Sequence, residues 1–198
     1  EKIYASPEWL NAQEPIGAPT EQVNEIILAR ISQFKTANQV LALVKKKVVN
    51  VPLQFDKEFT LVLDGIQDPG NFGAIIRTAD WFGIQQIVAS EDTADVYNPK
   101  VIGATMGSFM RVSVTYKHLA DWMPTVKLPV YGALLAGENI FTTKAPNGGL
   151  LVIGSEGKGI RENILDQITH PVTIPKIGGV ESLNAGVAAG IIIAQLTR

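Results

Sequence analysis

From Phe59 onward the chain alternates between short apolar runs and helix-patterned segments, and each apolar run stops at a loop of small or charged residues. TLVLDG, QQIVAS, RVSVTY, PVYGALLAG, GGLLVIGSEG and PVTIPKI read as strands. FGAIIRTADWF, NPKVIGATMGSF, HLADWMPTV, IRENILDQI and LNAGVAAGIIIAQLTR read as helices between and after them. Repeated strand–helix units with apolar strands build a mostly parallel sheet covered by helices on both faces. Ligands of such sheets bind beyond the carboxyl ends of strands. Three loops lie there: after LVLDG, after LLVIG and after VTIPK.

Ahead of Phe59 the pattern differs. VNEIILARISQF has helical spacing, with Thr20 and Glu21 as its start; QVLALVKKKVV reads as a strand and VPLQFDKEF as a polar crossover. The change divides the chain into residues 1–55 and 56–198.

Composition narrows the chemistry. A chain of 198 residues with 46% hydrophobic residues can build a sizeable core. It has no cysteine and two histidines, His118 and His170, so thiolate chemistry is excluded and a zinc site or histidine triad lacks partners. The longest apolar run, Ala185 to Leu196, is interrupted by Gly186, Gly190 and Gln195 and falls short of the roughly 20 residues a membrane span needs. The first residues, EKIYASPEW, lack a signal peptide's basic-then-apolar order, so a cytoplasmic protein is expected. The net charge of −2 confines any RNA-binding surface to a local patch. Lys45-Lys46-Lys47 is the only dense basic run, and a solvated face explains such a run as well.

The loops themselves are not standard phosphate cradles. GSEGKG, Gly154 to Gly159, lacks the spacing and hydroxyl of a Walker A loop, and no G-x-G-x-x-G occurs, which disfavours a nucleotide-dependent oxidoreductase. In the first loop Asp68-Pro69-Gly70-Asn71 reads as a turn and helix cap. Arg77 then sits among Ile75, Ile76 and Ala79 with no acid beside it, either snorkelling at the surface or emerging at a cleft or interface. In the third loop Gly178-Gly179 gives a bend, Ser182 or Asn184 can cap the last helix, and that helix begins with small residues that permit close packing.

Taken in order, DPGNFGAIIRTA, VIGSEGKGI and IPKIGGVESLNAGVAAGI resemble the three signature motifs of the SpoU (TrmH-type) RNA 2′-O-ribose methyltransferases, a family of the SPOUT class, over residues 59–198. Residues 1–50, SQFKTANQVLALVKKK in particular, resemble part of that family's L30e-like RNA-binding domain. The resemblance implies an α/β domain with a C-terminal deep trefoil knot, S-adenosylmethionine as cofactor, no metal, a homodimer with its site at the subunit boundary, and methylation of a ribose 2′-hydroxyl in structured RNA, ribosomal before transfer RNA. It implies catalytic positions at Asn71, Arg77, Glu156, Ser182 and Asn184, and cofactor positions at Leu135, Ala136, Gly137, Gly154, Ile174 and Leu183. One departure stands out: where the family reads S-L-N-V-S-V-A this chain reads SLNAGVA, with Gly186 in place of the second serine. A catalytically silent RNA-binding member is therefore the alternative.

The implied chemistry asks the site to remove a proton from a weakly nucleophilic hydroxyl. Family accounts make the arginine a general base, but a guanidinium stays charged to about pH 12. A bidentate grip on an RNA phosphate that orients the hydroxyl suits Arg77 better.

Overall fold

The computed structural model describes residues 1–46, 53–55, 59–144 and 147–197. They fall into two units, Glu1–Val48 and Val49–Arg198.

In the first unit β1 (Lys2–Ala5) is the central strand, parallel to β2 (Thr20–Gln22) and antiparallel to β3 (Val40–Leu43). Between β1 and β2 lies α1 (Pro7–Asn11), capped by Ser6, whose hydroxyl accepts from the Trp9 N–H. The helix expected at 23–34 is α2 (Glu25–Ile31). Its start is corrected: Thr20 and Glu21 belong to β2 and pair with Ile3 and Tyr4, and Asn24 is the cap, its Oδ1 accepting from Ile27 N–H at 2.9 Å. The end of the strand expected over QVLALVKKKVV, and part of VPLQFDKEF, lie outside the described residues.

The second unit is built on six strands: β4 (Phe59–Asp64), β5 (Gln86–Ser90), β6 (Ser113–Lys117), β7 (Val130–Asn139), β8 (Gly149–Gly154) and β9 (His170–Thr173). Its helices are α3 (Pro69–Trp81), α4 (Pro99–Thr105), α5 (Leu119–Trp122), α6 (Glu162–Leu165) and α7 (Ala185–Leu196). The strand order is β6-β5-β4-β8-β7-β9, and every pair is parallel. The chain builds outward from β4 through β5 to β6, then returns on the other side. The order therefore reverses between β4 and β8, where Asp64 lies opposite Gly154. That reversal is where a parallel sheet opens a ligand crevice.

All of β4 is buried, and its side chains part by period two. Leu61 and Leu63 join the core with α3 and α7; Val62 joins Leu119, Met123 and Ile164 on the opposite face. On α3, Phe72, Ile75, Ile76 and Ala79 recur at one-turn spacing and are buried, while Ala74, Arg77 and Trp81 face outward. Gly73 lets α3 press on α4: a Cβ there would lie 2.5 Å from the Ala104 Cβ.

Two expected helices are shorter than their patterns. NPKVIGATMGSF breaks after Thr105, where Met106 takes φ +49°, and resumes as a 3-10 turn, Ser108–Met110. IRENILDQI forms helix only over α6, because Arg161 is held extended by bonds to Asp64. Among the described residues no helix is long and apolar enough to cross a membrane.

Candidate active site

The first motif enters α3 through Asp68, not Asn71: the Asp68 carboxylate accepts from the Asn71 N–H at 2.8 Å. Capping by Asp68 leaves the Asn71 side chain free to reach out of the first helical turn. Its Nδ2 donates to Glu156 Oε1 at 2.8 Å, so Asn71 does have an acidic partner, one that sequence proximity could not show.

Glu156 comes from the loop after β8. That loop turns back on itself, with Ser155 and Gly159 exchanging backbone hydrogen bonds at 2.9 and 3.2 Å. The turn closes directly over Gly154, where a Cβ would lie 2.2 Å from the Gly159 backbone. Only glycine fits there.

Asn184 ends the third loop and caps α7, its Oδ1 accepting from Gly186 N–H at 3.0 Å and Val187 N–H at 3.2 Å. Its Nδ2 donates to Asn71 Oδ1 at 2.8 Å and to Glu156 Oε1 at 2.5 Å. The Ala185 N–H reaches the same Glu156 oxygen at 3.0 Å. Glu156 thus satisfies a free N–H at the start of a long helix, where a carboxylate is favoured by the helix dipole. The three loops meet on one carboxylate oxygen. Gly186 stands beside this cap, and a Cβ there would lie 3.3 Å from Asn184 Oδ1.

On one side of the 155–159 loop is a cavity of about 730 Å³, walled by Leu135, Ile153, Ile174, Leu183 and Ile192, with Glu156 and Ser182 among its polar lining residues. On the other is a polar cavity of about 380 Å³, lined by Asn71, Asp92 and Arg161 among others. Ser155, Glu156 and Ala185 line both.

Of the expected site residues, Asn71, Glu156 and Asn184 form one hydrogen-bonded cluster. Leu135, Gly154, Ile174, Leu183 and Ser182 line the larger cavity. Ala136 and Gly137 do not line it; Gly137 packs on β9, a Cβ there falling 2.6 Å from the Pro171 carbonyl group. Arg77 lines neither cavity, is exposed on α3, and has no hydrogen bond or ion pair among the described residues.

Sequence reasoning missed Asp64, Asp92 and Arg161. Arg161 donates from Nε to Asp64 Oδ1 at 2.6 Å, from its backbone N–H to Asp64 Oδ2 at 2.8 Å, and from Nη2 to Asp92 Oδ1 at 3.3 Å. The signal was present: an acid closing the otherwise apolar strand FTLVLD needs a cation once buried. Its partner is 97 residues away.

The fold and site define a parallel α/β domain with two adjoining cavities beyond the carboxyl ends of its strands and a polar cluster between them. The chain belongs to the SpoU rRNA Methylase family, whose model matches residues 58–194. It is 34% identical over 140 residues to the 23S rRNA (guanosine(2553)-2′-O)-methyltransferase RlmP of Bacillus subtilis, covering 69% of this chain and 56% of that one. It is 33% identical over 143 residues to the 23S rRNA (guanosine-2′-O-)-methyltransferase RlmB of Neisseria meningitidis, covering 70% and 57%. The chain thus spans little more than half the length of these curated relatives. A solved TrmH-family structure from Porphyromonas gingivalis is similar at TM-score 0.86 and 36% identity, over 99% of this chain and 81% of that one. The SpoU methyltransferase AviRb of Streptomyces viridochromogenes, solved in complex with AdoMet, shares the fold at TM-score 0.79 and 22% identity, over 100% and 82%.

Proposed function

We propose that this protein transfers a methyl group from S-adenosylmethionine to a ribose 2′-hydroxyl of structured RNA, ribosomal RNA before transfer RNA. The observation that carries the reading is the meeting of Asn71, Asn184 and the Ala185 N–H on Glu156 Oε1 at the rim of the larger cavity. The residues there fit the cofactor: Leu135, Ile174 and Leu183 offer apolar walls for a purine, and the Glu156 carboxylate suits a sulfonium cation. When bound, the cofactor supplies a methyl carbon open to attack by oxygen.

The protein's own part is positional and electrostatic. Glu156 Oε1 is filled by three donors, whereas Oε2 has no hydrogen-bond partner among the described residues. That free oxygen accepts the hydroxyl proton. Asn71 keeps one amide hydrogen for the ribose, since its other goes to Glu156. Arg77 holds an RNA phosphate by its planar fork, which its lack of an internal partner leaves open.

The same reading takes in the C-terminal trefoil knot, the L30e-like character of the N-terminal residues within a 1–55 and 56–198 division, a homodimer, and a cytoplasmic place of work. Exposed Trp81, Met106, Met110 and Val187, on or beside α3, α4 and α7, support the dimer. The apolar residues of α7 do not, since Ile192, Ile193 and Leu196 are buried within their own chain.

Tritiated methyl transfer to unmodified ribosomal and transfer RNA, tested separately, checks the proposal. Incorporation into ribosomal RNA is expected. Binding of S-adenosylhomocysteine with no transfer to either RNA would favour the catalytically silent reading that Gly186 raises.

A further inference from the structure

One buried carboxylate ties together the loops that follow β4, β5 and β8. Asp64 is the last residue of β4, and its side chain is wholly buried. On β8 it lies opposite Gly154, from which the 155–159 loop departs. At the far end of that loop the Arg161 N–H donates to Asp64 Oδ2 at 2.8 Å, and Arg161 Nε donates to Oδ1 at 2.6 Å. Both feet of the loop therefore stand on the same residue. The guanidinium reaches on to Asp92 Oδ1 at 3.3 Å, in the loop after β5. That carboxyl is held below its ordinary value by a hydrogen bond from Ser90 and, less strongly, by the Arg161 charge. The Ser90 hydroxyl in turn accepts from the Gly65 N–H at 2.8 Å, which returns the chain of bonds to the end of β4.

Stability alone is a weak reason for such a pair. Desolvation of a buried ion pair offsets most of its attraction, and apolar residues of similar volume often serve as well. What the pair supplies is direction. Two hydrogen bonds from one arginine to the two oxygens of one carboxylate fix where Arg161 stands, and Arg161 closes the segment that carries Glu156. The turn between them is braced by the paired backbone bonds of Ser155 and Gly159, so a shift at Arg161 is passed on to Glu156. Glu156 has little room for it. Its Oε1 meets Asn71 Nδ2, Asn184 Nδ2 and the Ala185 N–H at once.

We propose that Asp64 and Arg161 are positioning residues, a clamp on the 155–159 loop that sets Glu156 within reach of the ribose hydroxyl. The inference rests on the methyl-transfer reading above. Neither residue touches the reacting atoms; both act through Glu156.

The test begins with Arg161→Lys, which keeps the charge and the backbone bond to Asp64 but loses the planar fork. Its kcat should fall about ten- to hundredfold, because a displacement of about 1 Å in a reacting group costs on that order, with KM for ribosomal RNA within about threefold. In a Glu156→Gln background the same change should cost less than about threefold, since the clamp then has no carboxylate left to place. Exchange of the Ala185 amide, whose proton is held by Glu156, reads the carboxylate without any RNA. It should quicken about tenfold in Arg161→Lys while the amides of β5 exchange as before. Asp92→Asn loosens only the outer end of the clamp and should show the same pattern at a few-fold, which keeps the test open if Arg161→Lys does not fold. An undiminished kcat, or equal losses in both backgrounds, overturns the proposal. A raised KM with kcat unchanged does so too, and would mean that Arg161 holds RNA itself. Unchanged exchange at Ala185 overturns the clamp whatever the RNA result. No label from the wild type in any RNA removes the methyl-transfer reading and the role in turnover, and the exchange rates then judge the clamp alone.

Discussion

The Asn71 side chain donates to Glu156 Oε1 at 2.8 Å although 85 residues separate them. Asn184 binds both, at 2.8 Å and 2.5 Å. The carboxylate therefore has one oxygen held by three donors and one without a hydrogen-bond partner among the described residues, and the two can be tested apart.

Glu156→Gln makes that separation. A glutamine carbonyl can accept the three bonds now made to Oε1, while its amide nitrogen replaces the free oxygen with a donor. Folding stability should change by less than about 0.5 kcal/mol, as for most exposed positions. Methyl transfer should fall about 10²- to 10⁴-fold, the usual contribution of a general base, and the remaining rate should climb with pH. Single-turnover rates across pH 6–9 check this; a Gln variant with the wild-type profile would place the proton elsewhere.

Gly154→Ala tests the loop that carries Glu156. The new Cβ would fall 2.2 Å from the Gly159 backbone, so the 155–159 turn must open. Overpacking of this kind costs about 1–3 kcal/mol. Both cavities share this loop, so cofactor affinity and transfer rate should fall together with the melting temperature. Calorimetry with S-adenosylhomocysteine beside a thermal melt decides the matter.

What the sequence disclosed follows the range of the interactions involved. Alternation in FTLVLD and one-turn spacing in FGAIIRTADWF are local, and they placed β4 and α3 within three residues of their observed starts. The first 22 residues gave no such signal: β2 is exposed at every position and exists because its backbone pairs with β1. IRENILDQI has helical periodicity, yet Arg161 is drawn out of the helix by a carboxylate 97 residues away. Leu135, Gly154, Ile174 and Leu183 were placed by the motif resemblance and do border one cavity. The junction of Asn71 with Glu156 needed the third dimension.

Acidification should weaken the fold through Asp80. Two hydrogen bonds from Arg111 to Asp80 Oδ2, at 2.6 and 2.9 Å, hold the Asp80 carboxyl below its ordinary value. Its pKa is thus lower folded than unfolded, so the stabilisation is full above about pH 4 and is lost as pH falls through the folded value. Asp80→Asn should be less stable at pH 7 and lose stability more gently below pH 4. Some slope will remain, because the Asp92 carboxyl is also held low. Urea midpoints for both proteins between pH 2.5 and 7 measure the difference.

A homodimer should sediment at twice 21.4 kDa at micromolar concentration. Trp81 is 84% exposed on α3, so burying it against a second copy removes much apolar surface from water. Trp81→Glu should yield a folded monomer, because the side chain touches little of its own core. A dimer that persists in the variant would move the interface away from α3.

Arg77 lies on the same outward side of α3, six residues and about 9 Å along the axis from Asn71. Because it has no partner among the described residues, Arg77→Ala should leave thermal stability and cofactor affinity nearly unchanged. Methyl transfer should nevertheless be abolished if the guanidinium holds an RNA phosphate. Arg77→Lys keeps the charge and loses the planar two-pronged donor. One charge-assisted hydrogen bond is worth about 1.5–3 kcal/mol, or roughly ten- to hundredfold in rate when felt only in the transition state. Transfer rates and RNA affinities of the three proteins, measured at one salt concentration, resolve the roles. A Lys variant with full activity would show that charge alone suffices, and a loss of melting temperature in Arg77→Ala would make the residue structural.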